Sequence, residues 1–393
     1  MLLVILIVTE ILTFSILIKQ YKGRSKTKYY ISMIVNTILS IYMWMHYIEI
    51  SSWIGFPDYP YNIWLRMNLN AAFCAILFPR ILLIILHFTG VLINIKQGGY
   101  SRGLTSTGLI IWIVVLVVVI TGSIRGRFNV KTEFVTVYKE GLHSDLEGFT
   151  IALISDLHLA GFYGRENFIK KQMDEINSYS PDIIVNSGDF ISYGWQEYGR
   201  MDTILSHAEG RLGNFAVFGN HDMGIYHPLF TYAERESHIL KMRELIKNSG
   251  YHLLIDENDT IKKGDAVVAI AGITTNGRHG HIKYGNLQKA IQGTSDADLT
   301  ILISHDPNHW EKQVKGKTSV DITLAGHTHG MQTGIRLENF RWSPSKYFYP
   351  RWNGLYKEGN QYLYVNRGFG VLSMPFRIGM PPEITIIKMT GSQ

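Results

Sequence analysis

One cysteine occurs in the 393 residues. Cys74 lies in an apolar run, so no disulfide can form within the chain and no soft thiolate cluster is available to a metal. Acidic residues are scarce at the start: residues 1–128 hold three Asp/Glu against eleven Lys/Arg. Residues 129–393 hold 29 against 27, so the net charge of +6 belongs to the first part. That excludes the high pI as a nucleic-acid signal, which needs basic residues clustered on a folded domain. The chain has no internal repeat and no low-complexity tract. It has no twin-arginine motif, and no small-residue cleavage site follows the first apolar run, which is therefore expected to remain as a span.

Long apolar runs are what the first part does have, at roughly residues 2–18, 30–50, 71–93 and 107–124. Each approaches the ~20 residues that a helix needs to cross the ~30 Å hydrocarbon layer. The expected organisation is a four-helix transmembrane region over 1–124 and a second domain over 125–393. The loop "KQYKGRSKTK" carries five Lys/Arg, "SSWIGFPDYPYN" none, and "NIKQGGYSRG" carries Lys96 and Arg102. The positive-inside rule puts the first and third loops in the cytoplasm and the second domain on the periplasmic or extracellular side of a bacterial cytoplasmic membrane. Arg80 sits at membrane depth after Pro79, where it is expected to pair with Glu10 or to snorkel at a helix break.

From about residue 149 the pattern changes to short apolar strands alternating with polar helical segments, an α/β arrangement. Polar residues cluster where the strands stop. The strand ends read "SDLHL" (Asp156, His158), "SGDF" (Asp189), "GNHD" (Asn220, His221, Asp222), "SHDP" (His305, Asp306) and "GHTHG" (His327, His329). Ligands bind at carboxyl ends of strands in open α/β sheets. Two aspartates, an asparagine and four histidines exceed the needs of one ion. Two divalent ions sharing a carboxylate, ~3.5–4 Å apart, fit the set. Carboxylate, amide and imidazole ligands suit Mn²⁺, which we favour, or Fe or Zn²⁺. The glycines around the "GHTHG" pair let backbone approach without a Cβ clash. The pair His279 and His281 in "RHGHI" has no strand before it and reads as solvated loop.

The order D-x-H, G-D, G-N-H-[DE], isolated H, G-H-x-H resembles the calcineurin-like metallophosphoesterases. The tail "YLYVNRGFG…PFRIG…PEITII" is similar to the bacterial branch that includes exported and membrane-anchored phosphodiesterases. That branch usually reads "GHTHGGQ"; here Met331 replaces the second glycine. The resemblance implies a four-layer αββα sandwich. It implies that Asp156, His158, Asp189 and His329 hold one ion, and that Asn220, His305 and His327 hold the other with Asp189 bridging. It implies a bridging hydroxide that attacks phosphorus, His221 as the acid for the leaving oxygen, and Asp222 orienting it.

The expected partners are a lipid bilayer and a phosphorylated substrate. A lipid-linked phosphate or pyrophosphate suits a tethered enzyme; soluble phosphodiesters, or a non-catalytic metal-binding sensor or transporter, are the alternatives. Some membrane-anchored relatives split a UDP-linked acyl-glucosamine pyrophosphate, which requires a cytoplasmic site and so conflicts with the charge-based topology. The segment 339–356, "NFRWSPSKYFYPRWNGLY", interleaves aromatic rings with Arg341, Lys346 and Arg351. It reads either as core or as an irregular rim segment resting on the bilayer. Trp342 and Trp352 there, with Tyr193 and Trp195 after "GDFIS", are the candidate substrate contacts.

Overall fold

The computed structural model describes residues 1–52, 59–95, 102–278, 280–338 and 340–392. Lys96, His279 and most of the loop after the second apolar run lie outside the described residues. The chain divides into two compact units. One holds 1–55, 65–124 and 373–376; the other holds 56–64, 125–372 and 377–393.

The helical unit consists of α1 (Leu2–Tyr21), α2 (Lys26–Ser52), α3 (Pro60–Ile93) and α4 (Arg102–Ile124). All four are long and apolar enough to cross a membrane. Side chains such as Ile11, Ile34, Ile38, Ile85 and Ile113 point outward, whereas Leu6, Met43, Phe73, Ile76 and Leu77 pack inward. Such outward apolar faces are stable only against lipid. The start of α3 differs from expectation. Residues 60–62, read as loop, begin α3, because Pro60 is pre-set for a first helical position. At 34 residues α3 is about 50 Å long and exceeds the hydrocarbon thickness. Arg80 does pair with Glu10, at 3.1 Å.

The α/β unit is built on two six-stranded sheets. The first contains β1 (Lys131–Tyr138), β2 (Thr150–Ile154), β3 (Ile183–Asn186), β4 (Asn214–Ala216), β5 (His252–Leu253) and β16 (Glu383–Thr390), in the order β1-β16-β2-β3-β4-β5. The second contains β6 (Glu257–Lys263), β7 (Ala266–Ile273), β10 (Leu299–Ser304), β11 (Ile322–Ala325), β14 (Gly354–Glu358) and β15 (Gln361–Val365), in the order β14-β15-β11-β10-β7-β6. Two small hairpins are β8 (Thr275–Asn276) with β9 (Lys283–Tyr284), and β12 (Ile335–Leu337) with β13 (Phe340–Trp342). Within the sheets β2, β3 and β4 run parallel, as do β7, β10, β11 and β15.

The strand period of two assigns each apolar residue to a layer. Ile151, Leu153, Ile183 and Val185 face Ile270, Ile301, Ile303 and Leu324 in a core between the sheets. The alternate residues Ala152, Ile154 and Ile184 face the other way, against α5 (Glu166–Ser178), α6 (Met201–Leu205) and α7 (Tyr232–Asn248). On the far side Ala271, Ile273, Leu302 and Val365 cover Leu287 of α8 (Leu287–Ala290) together with Trp310 and Val314. The result is the four-layer αββα sandwich. Central strands buried on both faces explain why their sequences are nearly continuous apolar runs rather than alternating ones.

Candidate metal centre

The parallel strands of both sheets end toward one cleft, and each delivers its polar residues there. Asp156 and His158 follow β2, Asp189 follows β3, Asn220 and His221 follow β4, His305 follows β10, and His327 and His329 follow β11. Turning a side chain back over a strand end requires unusual backbone. Asp156, His158, Asp189, His327 and His329 all have positive φ, between 43° and 70°. Left-handed backbone at non-glycine residues is costly and persists where the surrounding structure over-determines it, as at functional sites. The glycines serve the same end: a Cβ on Gly326 would run into Ser155 Oγ and Asp156 Oδ2, and one on Gly219 into Asp189. Met331, where the resembling branch has glycine, also has φ 46°.

Two groups of ligating atoms emerge, Asp156–His158–His329 and Asp189–His305–His327, each with its atoms within 4.8 Å of one another. His158 Nε2 lies 3.1 Å from His329 Nε2, and His327 Nδ1 lies 3.1 Å from His305 Nε2. Asp189 Oδ2 stands between the groups, 3.0 Å from His305 Nε2 and 4.0 Å from His158 Nε2. Asn220 Oδ1 is buried with no hydrogen-bond partner, although its Nδ2 donates to Tyr226 Oη. Facing imidazole nitrogens and an orphaned amide oxygen are acceptors converging on acceptors, which a cation satisfies. The residues present therefore fit two divalent ions.

The distal ring atoms are held. His305 Nδ1 pairs with the Ser187 carbonyl at 2.9 Å, and His158 Nδ1 with Ser192 Oγ at 3.0 Å. His327 Nε2 pairs with Tyr349 Oη at 2.9 Å. Such partners fix ring orientation and tautomer. Burial lowers the pKa of His221, against the opposing pull of the Asp189 carboxylate.

Asp222 does not contact the His221 ring. Its carboxylate accepts from the backbone N–H groups of Asp189, Phe190 and Gly219, at 2.8–2.9 Å, and so fixes the Asp189 turn. His221 is oriented instead by the Ser192 carbonyl, 2.7 Å from Nδ1. Asp306 accepts from Tyr284 Oη at 2.9 Å.

The expected substrate contacts are scattered. Trp352 is buried with Tyr349 and Met380, contrary to a rim position. Trp342 is half-buried in β13, and Trp195 lies under Lys241, 6.0 Å from its ring centroid. The Tyr193 backbone N–H donates to Glu197. His281 and Arg278 belong to the β8–β9 connection.

Three contributors were not legible. Tyr349 was visible only as one ring in an aromatic segment. Tyr226 stacks on His221 with centroids 4.0 Å apart. Glu197 is buried, accepts from Ser192, Tyr193 and Gly194, and thereby positions the loop that holds His158 and His221. No spacing rule marks any of them.

Residues 149–331 match the family model of the calcineurin-like phosphoesterases. That part of the chain is similar to that family. The chain is 26% identical over 268 residues to the uncharacterized metallophosphoesterase YkuE of Bacillus subtilis, covering 67% of this chain and 86% of that one. It is 25% identical to a transmembrane protein with metallophosphoesterase domain from Danio rerio, over 70% of this chain and 61% of the relative. A third relative, the UDP-2,3-diacylglucosamine pyrophosphatase LpxG of Chlamydia muridarum, is 25% identical over 62% of this chain and 84% of its own length. The α/β unit is thus a metallophosphoesterase domain, and the activity class is metal-dependent phosphoester hydrolysis.

Proposed function

We propose that this metallophosphoesterase is a membrane-anchored, two-metal hydrolase of a lipid-linked phosphate or pyrophosphate, with its catalytic unit on the outer side of a bacterial cytoplasmic membrane. The observation that carries the two-metal reading is the pair of imidazole–carboxylate groups with Asp189 Oδ2 between them. Two divalent ions, when bound, supply Lewis-acid charge and lower the pKa of the attacking water. Asp156, His158 and His329 would hold one, and Asn220, His305 and His327 the other, with Asp189 between the two groups. Mn²⁺ suits this set. His221, held by the Ser192 carbonyl and flanked by Tyr226, gives a proton to the leaving oxygen. The lipid-linked substrate is supported by the four spans. The outward orientation is supported by the lysines and arginines of the first loop.

The test uses the full chain in detergent with Mn²⁺. Turnover of bis(p-nitrophenyl) phosphate and of a lipid phosphate, with a nucleotide diester hydrolysed more slowly than the lipid, is the expected result. Faster turnover of the nucleotide would assign a soluble substrate and make the spans a tether. His221→Ala should keep both ions and lose ~10²-fold or more on substrates with alkoxide leaving groups, and less on p-nitrophenolate, which needs no proton. Equal loss on both would remove the acid role.

A further inference from the structure

Beside the metal centre is an uncovered apolar surface that the proposed chemistry does not use. β12 and β13 pair with Ile335 opposite Trp342, Arg336 opposite Arg341, and Leu337 opposite Phe340. The period of two puts Ile335, Leu337, Phe340 and Trp342 on one face and the two arginines on the other. Ile335, Leu337 and Phe340 are 48%, 62% and 53% exposed. Tyr347, shortly after, is exposed as well. An isolated two-stranded hairpin is marginal in water, and a grouped apolar face of this kind marks a contact surface.

Chain connectivity limits what can cover it. Arg336 forms a forked ion pair with Glu133, at 2.6 and 2.7 Å. Glu133 lies in β1, which begins at Lys131, shortly after α4 ends at Ile124. An extended residue spans at most ~3.6 Å, so Glu133 stands within about 30 Å of the end of a membrane-spanning helix. The hairpin is thus clamped to a strand that begins soon after the last membrane-spanning helix ends. Its composition matches a bilayer interface. Lys346 is an exposed cation beside an aromatic ring, its Nζ 5.1 Å from the Tyr347 ring centroid. Rings with cationic neighbours settle where acyl chains meet phosphate headgroups.

We infer that the β12–β13 hairpin is an interfacial foot, whose apolar face enters the headgroup–acyl boundary of the lipid bilayer. One hydrogen bond ties it to the loop of the candidate metal centre. Ser343 Oγ, next to β13, donates to the Gly330 carbonyl at 2.6 Å, and Gly330 follows His329. The inference concerns where the protein touches lipid and stands whether or not the proposed substrate is right.

The experiment uses the full chain, with Cys74→Ser, in nanodiscs of phosphatidylethanolamine and phosphatidylglycerol. Nitroxide labels are placed through Leu337→Cys and Phe340→Cys, and through Tyr232→Cys on α7 as an aqueous reference. Tyr232 is 78% exposed. The expected result is an oxygen-to-nickel-chelate collision ratio severalfold above the reference at both hairpin positions, falling to the reference value when the nanodisc lipid is replaced by a sugar-headgroup detergent of short chain. Hairpin labels as accessible to the nickel chelate as the reference would overturn the inference. So would dipolar broadening between hairpin labels that persists in detergent, because a second copy of the chain would then be the cover. Turnover does not enter this readout, so it fails separately from the proposed reaction.

Discussion

In the helical unit Arg80 is fully buried, and its terminal nitrogens meet Glu10, Asn36 and Ser40 at 2.7–3.1 Å. There donors meet acceptors and opposite charges meet. In the α/β unit the buried groups are of one kind: ring nitrogen faces ring nitrogen, and Asn220 Oδ1 faces no donor. Both clusters cost desolvation, and both leave buried polar atoms without a partner: Arg80 Nε, Glu10 Oε1 and Asn36 Nδ2 in the first, Asn220 Oδ1 in the second. The first nevertheless pairs a guanidinium with a carboxylate, which holds helices together where no water can help. The second sets acceptors against acceptors, which a cation satisfies. The same distinction separates Asp222, whose carboxylate is saturated by backbone N–H groups, from Asp189, whose Oδ2 is shared between two histidine groups.

The comparison breaks most sharply at Asp189. Asp189→Asn removes the charge and one ligating oxygen, so it should release at least one ion and cost several kcal/mol of transition-state stabilisation, about 10³-fold in turnover. Metal analysis with two ions per chain and near-normal turnover would sink the two-metal assignment. At Arg80 the expected loss is of stability, not catalysis. Arg80→Met leaves Glu10 without its partner and should cost about 3 kcal/mol, read as a lower unfolding temperature in detergent with unchanged turnover of a soluble ester. Adding Glu10→Gln should recover most of it. A variant of normal stability that no longer hydrolyses a soluble ester would make Arg80 part of the functional machinery.

The smallest effect sharpens a third case, the Glu133 clamp. Burial raises the Glu133 pKa, but hydrogen bonds and charge from Arg336 and Arg367 outweigh it and hold the group down at about 2. A depressed carboxylate stabilises the fold above the ordinary carboxylate range and loses that contribution as pH falls toward about 2. Glu133→Gln should therefore unfold ~2–4 °C lower than the parent at pH 7, with a smaller gap at pH 3. A gap that is the same at both pH values would mean that packing, not charge, fixes the clamp.

Local pattern carried far in this chain. Runs such as "GLIIWIVVLVVVITG" can only be solvated by lipid, and buried parallel strands such as "TIALI" and "LTILIS" have no polar face to present. The dipeptides at their ends were readable for the same reason: a strand that stops delivers its next residues to the sheet edge. Strand β1 was passed over because "KTEFVTVY" alternates and is only partly buried, at the sheet edge beside β16. The segment 339–356 was read as irregular because its prolines mask the β12–β13 pairing, which the residues before it complete.

The sequence by itself determined the two-part architecture and the residue types of the metal centre, because hydropathy period and chain order act within a few residues. Only the tertiary structure decided what those residues face. That the Ser192 carbonyl rather than Asp222 orients His221, that Tyr349 caps His327, and that Trp352 is core while Leu337 and Phe340 are surface follow from contacts between strands distant in sequence. Such contacts are fixed by how two sheets close on each other, and no spacing along the chain records that closure.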